Sequence, residues 1–520
     1  MLFCMRSPFL LFLFLLIQSS GIVVGQSPLL EGIEHRHGLT GISVVTRCGD
    51  TVSAEYHAGY GNIALNTPVD AKTAFRVASI SKAVVALIAA KLNAQGHLDV
   101  DAPLESYLGS RIRHPHFPDR PLTLRMLLSH TAGIRDGSGY DAFLKETYAQ
   151  APNVPLLTAA LTASGAHFHE DVWADDEPGT YFHYANLNFG VVATVLEAST
   201  GKRFDRLVKE LLLEPYGLEG GFQRQDLSLD LSLATLYRQQ GGEWVPQADD
   251  ILDADAPQPD WNGYIPGTNA LGFAPQGGLR TSARSLAILA QLWTCGVAQS
   301  PKGTLQFLGP HDLLMLQTPE WAFNGSNGDP YHGLFNQWSA GLHLASSGLG
   351  DDTLIPDVDM APFVGHAGEA YGLISDAYAT KDGRWSMAFV TNGKWDGYST
   401  GSNSAFYAVE EEVFSALRID LLQCLAREEQ DIAGPSWSVT GSPSAGDTLL
   451  YLKGVSQRES PLIIDWHVAG RPSKLGCIAA PIDDGRWQLA VSPMPAGTHQ
   501  MVAYTEEHPN GVPLVVWIAP

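Results

Sequence analysis

A serine and a lysine lie three residues apart in Phe75-Arg-Val-Ala-Ser79-Ile-Ser-Lys82, at the start of an apolar stretch. The Ala-rich residues that follow run to Gly96 and predict a buried helix of about four turns. Residues three apart share a helical face, so Ser79 and Lys82 should lie side by side. A serine hydroxyl needs a base to become a good nucleophile, and a lysine shielded from water can stay neutral enough to take its proton. The spacing therefore predicts Ser79 as nucleophile and Lys82 as its base.

The same spacing occurs a second time, in Ser199-Thr-Gly-Lys202. The Thr-Gly pair is typical of a helix end, so this copy is not expected to be catalytic. Serine and lysine on a helix are usually solvated, so the motif alone does not identify an enzyme. What distinguishes Ser79 is that possible partners follow it along the chain, in Tyr184-Ala-Asn186 and then in Gly365-His366-Ala-Gly368.

Tyr184 and Asn186 have side chains suited to such a nucleophile. A phenol held near Lys82 could relay a proton from Ser79 to the leaving group. The amide of Asn186 can hydrogen-bond to Lys82 and to a substrate carbonyl. The alternative is that Tyr184 is an ordinary buried tyrosine. Tyr60-Gly-Asn62 also fits Tyr-x-Asn, but it precedes the nucleophile, so we expect it to be a packed part of a strand.

In this order the motifs resemble the serine β-lactamase and penicillin-binding-protein superfamily, specifically the class C β-lactamase and D-alanyl-D-alanine carboxypeptidase branch. The resemblance covers roughly residues 30 to 425, and the flanks Leu127–Gly133 and Gly277–Ser282 share it. It implies an acyl-enzyme on serine. It also implies an oxyanion hole made by the amide of Ser79 and by an amide just after Gly368, that of Glu369.

His366 departs from the pattern, because class C β-lactamases have Lys-Thr-Gly where this chain has His366-Ala-Gly368. A lysine supplies a permanent charge for a substrate carboxylate, whereas histidine is mostly neutral at pH 7. Within the family, His-x-Gly resembles D-peptidases, D-aminopeptidases and some esterases more than efficient β-lactamases. We therefore expect a peptide or amide substrate with a D-amino acid or a related acyl group, and we expect Asn186, His366 and Gly368 to face it.

Two other functions are compatible with the same residues. One is a carboxylesterase or acyl transferase at Ser79. The other is a non-catalytic cell-wall or penicillin-binding protein, against which the complete set of catalytic residue types argues. The chain has no His-Glu-x-x-His motif, and we predict no metal and no cofactor. We expect three histidine pairs in polar, loop-like sequence to be solvated: His35 with His37, His114 with His116, and His167 with His169.

The first 26 residues carry Arg6, an apolar core from Phe9 to Ile17, and small residues around Gly25. The apolar core is too short to span a membrane, so residues 1–25 are predicted to be a secretory signal peptide. We see no other segment of spanning length, and we predict a secreted or periplasmic protein. The formal net charge of −23 argues against nucleic acid or an anionic membrane as a partner. The sequence does not predict an oligomeric state.

A chain of 520 residues is expected to hold two domains. Strand patterns at both ends of residues 26–430 enclose a helical middle. This order predicts an α+β domain in which an antiparallel sheet is flanked by helices, as in the β-lactamase/transpeptidase-like fold. Residues 434–520 show about seven short alternating segments and predict an all-β sandwich module, immunoglobulin-like by pattern only and accessory in role.

Local patterns give further expectations. A hairpin is predicted from Gly38 to Gly61 around Gly49-Asp50, and a loop from Asp99 to Leu108. A short helix is predicted from Thr123 to a stop at Gly133. The stretch from Gln239 to Pro266 is predicted to be a long surface loop, either lining a site or a simple excursion. Four cysteines outside the signal peptide could form two disulfides or stay as buried thiols: Cys48, Cys295, Cys424 and Cys477.

Overall fold

The computed structural model describes residues 29–249, 259–346, 352–356, 358, 362–394 and 399–427. Of the last segment it describes the strands 438–439, 450–455, 463–468, 481–482, 486–491, 497–505 and 508–518. The predicted signal peptide, residues 1–25, lies outside these residues. A search of the described part of the chain finds no helix with the length and apolarity needed to cross a membrane.

The described residues form α-helices whose bounds are α1 Ile33–Arg36, α2 Ile80–Ala94, α3 Glu105–Leu108, α4 Leu124–Leu128, α5 Tyr140–Ala149, α6 Thr158–Leu161, α7 Asn186–Thr200, α8 Phe204–Val208, α9 Glu214–Tyr216, α10 Ala283–Cys295, α11 Pro310–Gln317 and α12 Ala408–Arg427. Single turns of 3-10 helix cover Glu170–Val172, Arg224–Asp226 and Ala270–Phe273, and a π-helical turn covers Lys209–Leu213.

The strands of residues 29–427 are β1 Gly41–Cys48, β2 Thr51–Asn62, β3 Thr67–Pro68, β4 Thr73–Arg76, β5 Gly220–Gly221, β6 Ser232–Leu233, β7 Leu236–Gln240, β8 Glu243–Ala248, β9 Arg280–Ser282, β10 Val297–Ser300, β11 Gly303–Gln306, β12 Trp321–Ala322, β13 Gln337–Trp338, β14 His343–Ala345, β15 Phe363–Ala370, β16 Leu373–Ala379 and β17 Trp385–Thr391. The last segment adds β18 Ser438–Val439, β19 Leu450–Val455, β20 Ile463–Val468, β21 Pro481–Ile482, β22 Arg486–Val491, β23 Gly497–Thr505 and β24 His508–Ile518.

The main sheet has nine strands in the order β12-β13-β14-β15-β16-β17-β1-β2-β3, and each neighbouring pair is antiparallel. The first strands of the chain therefore pair with the last strands of the domain, as predicted. Ile42 of β1 lies opposite Thr391 of β17, and Gly41 lies opposite Gly59 of β2. The predicted α+β class with an antiparallel sheet and flanking helices is confirmed.

Both faces of this sheet are covered, which explains why the residues of β1, β16 and β17 are buried almost throughout rather than in alternation. Val45 and Val390 belong to a large core that contains α2, α7 and α10. Ile42 and Phe389 belong to a second core with the apolar residues of α12. The sheet is thus a layer between a helical region on one side and the last helix on the other.

A smaller sheet, in the order β5-β9-β4-β6, leads directly into α2. Phe75 of β4 pairs with Thr281 of β9, and Arg76 pairs with Arg280. The chain then turns into α2, whose residues from Ile80 to Ala90 are all buried. The most apolar helix of the chain therefore lies inside the domain, with Ser79 at its first turn.

Several local predictions need correction. Glu105 to Leu108 is a short helix rather than loop. Helix α4 ends at Leu128, because His130 already has a positive φ of 57°, so Gly133 is not its stop. The stretch predicted as a long loop from Gln239 instead continues hairpin β7–β8, and residues 250–258 lie outside the described residues. Two aromatic residues near its end, Trp261 and Tyr264, are buried in the main core.

One disulfide joins Cys48 at the end of β1 to Cys424 in α12. Cys295 is a buried free thiol, and Cys477 lies outside the described residues. The bond clips the last helix to the sheet that it covers.

The last segment forms two sheets, β18-β19-β22-β21 and β20-β23-β24, with antiparallel pairing throughout. Seven strands in two sheets agree with the predicted all-β module. The boundary at residue 434 lies outside the described residues and stays a prediction.

Candidate active site

Ser79 lies between the end of β4 and the first residue of α2. The residue before it, Ala78, has a φ of 44°, in the left-handed region that a side chain with Cβ rarely occupies. Such strained residues persist only where the surrounding fold fixes them, and they are frequent at active sites. The turn leaves Ser79 partly accessible, on the wall of a cavity, while its neighbours Ala78 and Ile80 are buried.

Lys82 is completely buried, and its ammonium nitrogen faces the nucleophile. Its Nζ lies 3.0 Å from Ser79 Oγ, 2.8 Å from Asn186 Oδ1 and 2.8 Å from the carbonyl oxygen of Gln276. Burial disfavours the charged form and lowers the pKa of Lys82 to about 7, although the charge of Asp136 opposes this. A lysine in this state is half neutral near pH 7 and can accept the proton of the Ser79 hydroxyl.

Tyr184 reaches the same centre from the segment before α7. Its side chain is hydrogen-bonded to Ser79, and the Lys82 Nζ lies 4.9 Å from its ring centroid. Burial raises the pKa of Tyr184, so the phenol keeps its proton at neutral pH. The predicted trio of Ser79, Lys82 and Tyr184 is therefore brought together in one place.

His130, which sequence reasoning passed over, supports Tyr184 from behind. The two rings are stacked with centroids 4.4 Å apart. His130 Nδ1 lies 3.1 Å from the backbone nitrogen of Ala185 and 3.2 Å from the side-chain nitrogen of Asn188, and both are donors. His130 Nδ1 must therefore be an unprotonated acceptor. Burial and the charge of Lys82 lower the pKa of His130, which keeps the ring neutral.

Asn186 is held by Asp136, a second residue that the sequence analysis missed. The Asn186 side-chain nitrogen donates to Asp136 Oδ2 at 2.7 Å, which turns its amide oxygen toward Lys82. Asp136 also accepts the backbone N–H groups of Asn186 and Leu187, so it caps the start of α7. Asp136 precedes Asn186 by 50 residues in the sequence, in the stretch Gly-Ile-Arg-Asp136, and that stretch was the only indication of this contact.

Gly368 lies against the backbone of the nucleophile. A Cβ added at Gly368 would lie 2.6 Å from the carbonyl oxygen of Val77 and 3.2 Å from the backbone nitrogen of Ser79. Glycine is required because strand β15 passes this close. The next residue, Glu369, lines the cavity. Among the described residues, no carbonyl oxygen accepts the Ser79 amide, which leaves that donor available to a substrate oxyanion.

His366 lies in the same strand, but the structure places it differently from the expectation that it faces a substrate. It is fully buried and does not line the cavity, although its neighbours from Ala367 to Ala370 do. Its ring lies 5.2 Å from that of Trp338 and 6.2 Å from that of Tyr184. The imidazole therefore packs against the aromatic rings beside Tyr184 instead of opening to the cavity.

The cavity has a volume of about 840 Å³, which is within the usual range for small-ligand sites. Ser79, Tyr184, Asn186, Gly368 and Glu369 all lie on its wall. Its charged residues are two arginines and three carboxylic acids, and its remaining wall is rich in tyrosine. The charged residues are Arg76, Arg238, Asp141, Glu369 and Glu410.

The other motifs lie away from this cavity. Lys202 pairs with Glu210 beyond the end of α7, as expected for a helix end. Tyr60 lies on β2 but is 47% exposed, so the prediction that it is packed is wrong.

The prediction of solvated histidines is also wrong for His114, which is fully buried among His116, Phe117 and Trp173. The ring of Trp173 that packs on His114 comes from a distant segment, so the polar sequence around residue 114 did not indicate its burial.

The sequence family described as Beta-lactamase matches residues 28–400. The chain belongs to this family. Penicillin-binding protein 4* of Bacillus subtilis (strain 168) is 24% identical over 192 residues, which cover 36% of this chain and 39% of that protein. D-aminopeptidase of Brucella anthropi is 24% identical over 258 residues, which cover 48% of this chain and 41% of that protein. The matched region thus spans less than half the length of these relatives.

Solved structures share the fold of this family member. D-amino acid amidase from Ochrobactrum anthropi SV3, complexed with L-phenylalanine amide, superposes with a TM-score of 0.52 at 17% identity and covers 76% of this chain and 97% of that one. EstCE1, a hydrolase with promiscuous acyltransferase activity, superposes with a TM-score of 0.52 at 18% identity and covers 74% of this chain and 98% of that one. Identities this low show the common fold alone.

Proposed function

We propose that this β-lactamase-family protein is an exported serine hydrolase that acts through an acyl-enzyme on Ser79. The observation that carries the proposal is the position of Lys82. Its Nζ lies 3.0 Å from Ser79 Oγ inside the protein, and burial lowers its pKa to about 7. A pure binding protein has no need of a buried, half-neutral lysine beside a serine, because burying it costs stability.

The proposed reaction has two stages, formation of an acyl-enzyme on Ser79 and its hydrolysis by water. Lys82 takes the hydroxyl proton as Ser79 Oγ bonds to the substrate carbonyl carbon, and the carbonyl oxygen becomes an oxyanion. The amides of Ser79 and Glu369 stabilise that oxyanion. Tyr184 passes a proton to the leaving nitrogen or oxygen as its bond to carbon breaks, and Lys82 returns to Tyr184 the proton that it took from Ser79. A water then attacks the acyl-enzyme and gives a proton to Lys82, which protonates Ser79 Oγ as the acyl bond breaks and the acid product leaves.

We propose a peptide or amide with a D-amino acid or related acyl group as substrate. The relatives that support this choice are a D-aminopeptidase and, by fold, a D-amino acid amidase. The buried aromatic position of His366 also supports it, because the wall lacks the permanent lysine charge that a β-lactam carboxylate would meet. Esterase or acyl-transfer chemistry is the second candidate, favoured by the fold shared with EstCE1.

The test is turnover of D-alanine p-nitroanilide, N-acetyl-D-alanine p-nitroanilide and p-nitrophenyl acetate by the purified protein and by Ser79→Ala. We expect turnover that depends on Ser79, together with an adduct on Ser79 after incubation with a penicillin or a fluorophosphonate, found by intact mass and peptide mapping. Ser199→Ala, in the second Ser-x-x-Lys, is the matched control and should keep activity. Turnover retained by Ser79→Ala would refute the proposal, and ester hydrolysis without amide hydrolysis would favour the esterase.

Export is proposed from the predicted signal peptide, and the disulfide between Cys48 and Cys424 supports an oxidising compartment. The amino-terminal sequence of the mature protein tests it. Cleavage near Gly25 is expected, and a mature chain that starts at Met1 inside the cell would contradict it.

A further inference from the structure

Glu369 holds a carboxylate beside the place where negative charge develops in the proposed reaction. It follows Gly368, whose added Cβ would lie 3.2 Å from the Ser79 nitrogen, and its own amide is the second proposed donor to the oxyanion. Its side chain is exposed and lines the cavity. A negative side chain at this position opposes the formation of the oxyanion, because like charges repel strongly where water is displaced.

The carboxylate is held in place rather than free to swing away. Tyr407, at the start of α12, donates from its hydroxyl to Glu369 Oε2 at 2.7 Å. Register also fixes the residue, since Glu369 pairs with Ile374 of β16 inside the hairpin. Among the described residues, no hydrogen-bond donor is placed on Oε1. A fixed acidic group with an open oxygen therefore faces the cavity.

Among the described residues, neither arginine on the cavity wall forms an ion pair with Glu369. The Nε of Arg76 donates to the carbonyl oxygen of Gly277, and its guanidinium lies over the Tyr371 ring at 4.9 Å. Glu410 is buried against Asp376, and burial raises the pKa of Glu410 to about 7, so most of this carboxyl group is uncharged in mildly acidic solution. Arg238 lies beside Gly372 at the tip of the β15–β16 hairpin.

We infer that Glu369, which has no ion-pair partner among the described residues, binds a protonated amine of the substrate. This inference rests on the proposed function and narrows it to ammonium-bearing peptides, amides or esters. The bound ammonium neutralises Glu369 next to the oxyanion, so that binding and catalysis both favour the cationic substrate over its neutral analogue. The ammonium belongs either to the acyl group or to the leaving group, and the two sources are separated by experiment.

Two matched substrate pairs separate them. D-alanine p-nitroanilide against N-acetyl-D-alanine p-nitroanilide places the charge in the acyl group. S-(2-dimethylaminoethyl) thioacetate, whose amine is protonated at neutral pH, against S-(3-methylbutyl) thioacetate places it in the leaving group. For one of the two pairs, Glu369→Gln should lower the charged-to-neutral ratio of kcat/KM by about tenfold, mainly through KM, the size expected when a charged hydrogen bond is lost. Tyr407→Phe should lower the same ratio less.

Asp141→Asn is the control, because Asp141 is a second carboxylate on the same wall. It should leave both ratios unchanged. An unchanged ratio for both pairs in Glu369→Gln, an equal loss on charged and neutral substrates, or a shift in Asp141→Asn alone would each overturn the inference. Failure of the proposed function looks different, because then no substrate shows turnover that depends on Ser79.

A binding measurement keeps the inference testable without turnover. D-alaninamide, a cation, and N-acetyl-D-alaninamide, its neutral analogue, are titrated by NMR into Ser79→Ala protein with and without Glu369→Gln. We expect the cation to bind more tightly and Glu369→Gln to abolish that preference. Equal binding of the two amides to Ser79→Ala protein would overturn an ammonium site in the acyl position, and 2-(dimethylamino)ethanethiol and 3-methyl-1-butanethiol test the leaving-group position in the same way.

Discussion

The carboxylate of Asp136 accepts a 2.7 Å hydrogen bond from the side-chain amide of Asn186. Because the amide nitrogen is held there, its oxygen faces Lys82 Nζ at 2.8 Å. The charge of Asp136 also raises the pKa of Lys82 against the larger effect of burial. One carboxylate outside the cavity wall therefore orients an amide inside it and influences the protonation of the proposed base.

Asp136→Asn tests this relationship by removing the charge while keeping a side chain that caps helices well. Without the nearby negative charge, protonated Lys82 is less stable, so its pKa falls and more of it is neutral at a given pH. We expect the midpoint of the pH dependence of kcat/KM to move to lower pH. Asp171→Asn is the control, because Asp171 accepts the Ser138 amide in the same loop region. A midpoint that does not move in Asp136→Asn would contradict the assignment.

The pH dependence of the wild-type protein follows from Lys82. The base must be neutral, so kcat/KM should be low below pH 7 and rise as the pH passes about 7, the pKa that burial gives this lysine. Lys82→Met should lower kcat by about 100 to 10,000 fold, the usual contribution of a general base. Lys91→Met, on the same helix with its Nζ bonded to the Phe307 carbonyl oxygen, is the matched control and should stay active. A rate that is flat from pH 5 to 9 would argue against Lys82 as the base.

Gly368→Ala should damage the site through the close approach of β15 to Ser79. The added Cβ would meet the Val77 carbonyl oxygen at 2.6 Å and the Ser375 hydroxyl at 2.5 Å, so the strand must shift. Displacing a donor of an oxyanion hole costs roughly 100 to 1,000 fold in kcat. Gly61→Ala is the control, since its nearest contact would be 3.5 Å away. Full activity in Gly368→Ala would show that β15 does not hold the oxyanion.

Glu410 and Asp376 make stability depend on pH. The two buried carboxyl groups are hydrogen-bonded to each other, and burial raises the pKa of both, that of Glu410 to about 7. Between the ordinary pKa of 4.5 and about 7, the folded protein binds more protons than the unfolded chain. Its free energy of unfolding should therefore fall as pH rises through this window. Urea unfolding at pH 5 and pH 8 measures the slope.

Glu410→Gln should flatten that fall, because the amide carries no titrating proton. Glu411→Gln is the control for the neighbouring position. The pKa of Glu411 is lowered, although burial opposes this, since hydrogen bonds from Ser404, Asn403 and Ser402 stabilise its charged form. Its contribution to stability has the opposite dependence on pH. If Glu410→Gln leaves the pH dependence of the free energy of unfolding unchanged, the pair of Glu410 and Asp376 does not cause that dependence.

Local sequence was enough to predict the elements that position the nucleophile. The Ala-rich apolar run after Lys82 predicted the buried helix α2, and the Gly49-Asp50 turn predicted the hairpin of β1 and β2. The order of motifs along the chain then identified the residues that meet. Their function as a catalytic set stays a prediction until Ser79 is tested.

What could not be predicted depends on contacts between distant residues. The Gln276 carbonyl oxygen accepts from Lys82, and the Asp136 carboxylate accepts from Asn186, each from a separate loop. Every residue has a backbone oxygen, so the contact with Gln276 cannot be predicted from residue types. The burial of His366 depends on the rings of Trp338 and Tyr184, which come from other segments of the chain. His114 lies in polar sequence yet is enclosed by the ring of Trp173, far along the chain.

The disulfide between Cys48 and Cys424 closes the chain between them into a covalent ring, since the two cysteines are 376 residues apart in sequence. A single peptide bond broken anywhere inside this ring leaves both fragments attached to each other, so a protease nick there does not release a piece until the bond is reduced. The predicted accessory module, residues 434–520, lies outside the ring. One cut between Cys424 and residue 434 therefore separates the module and leaves the ring intact.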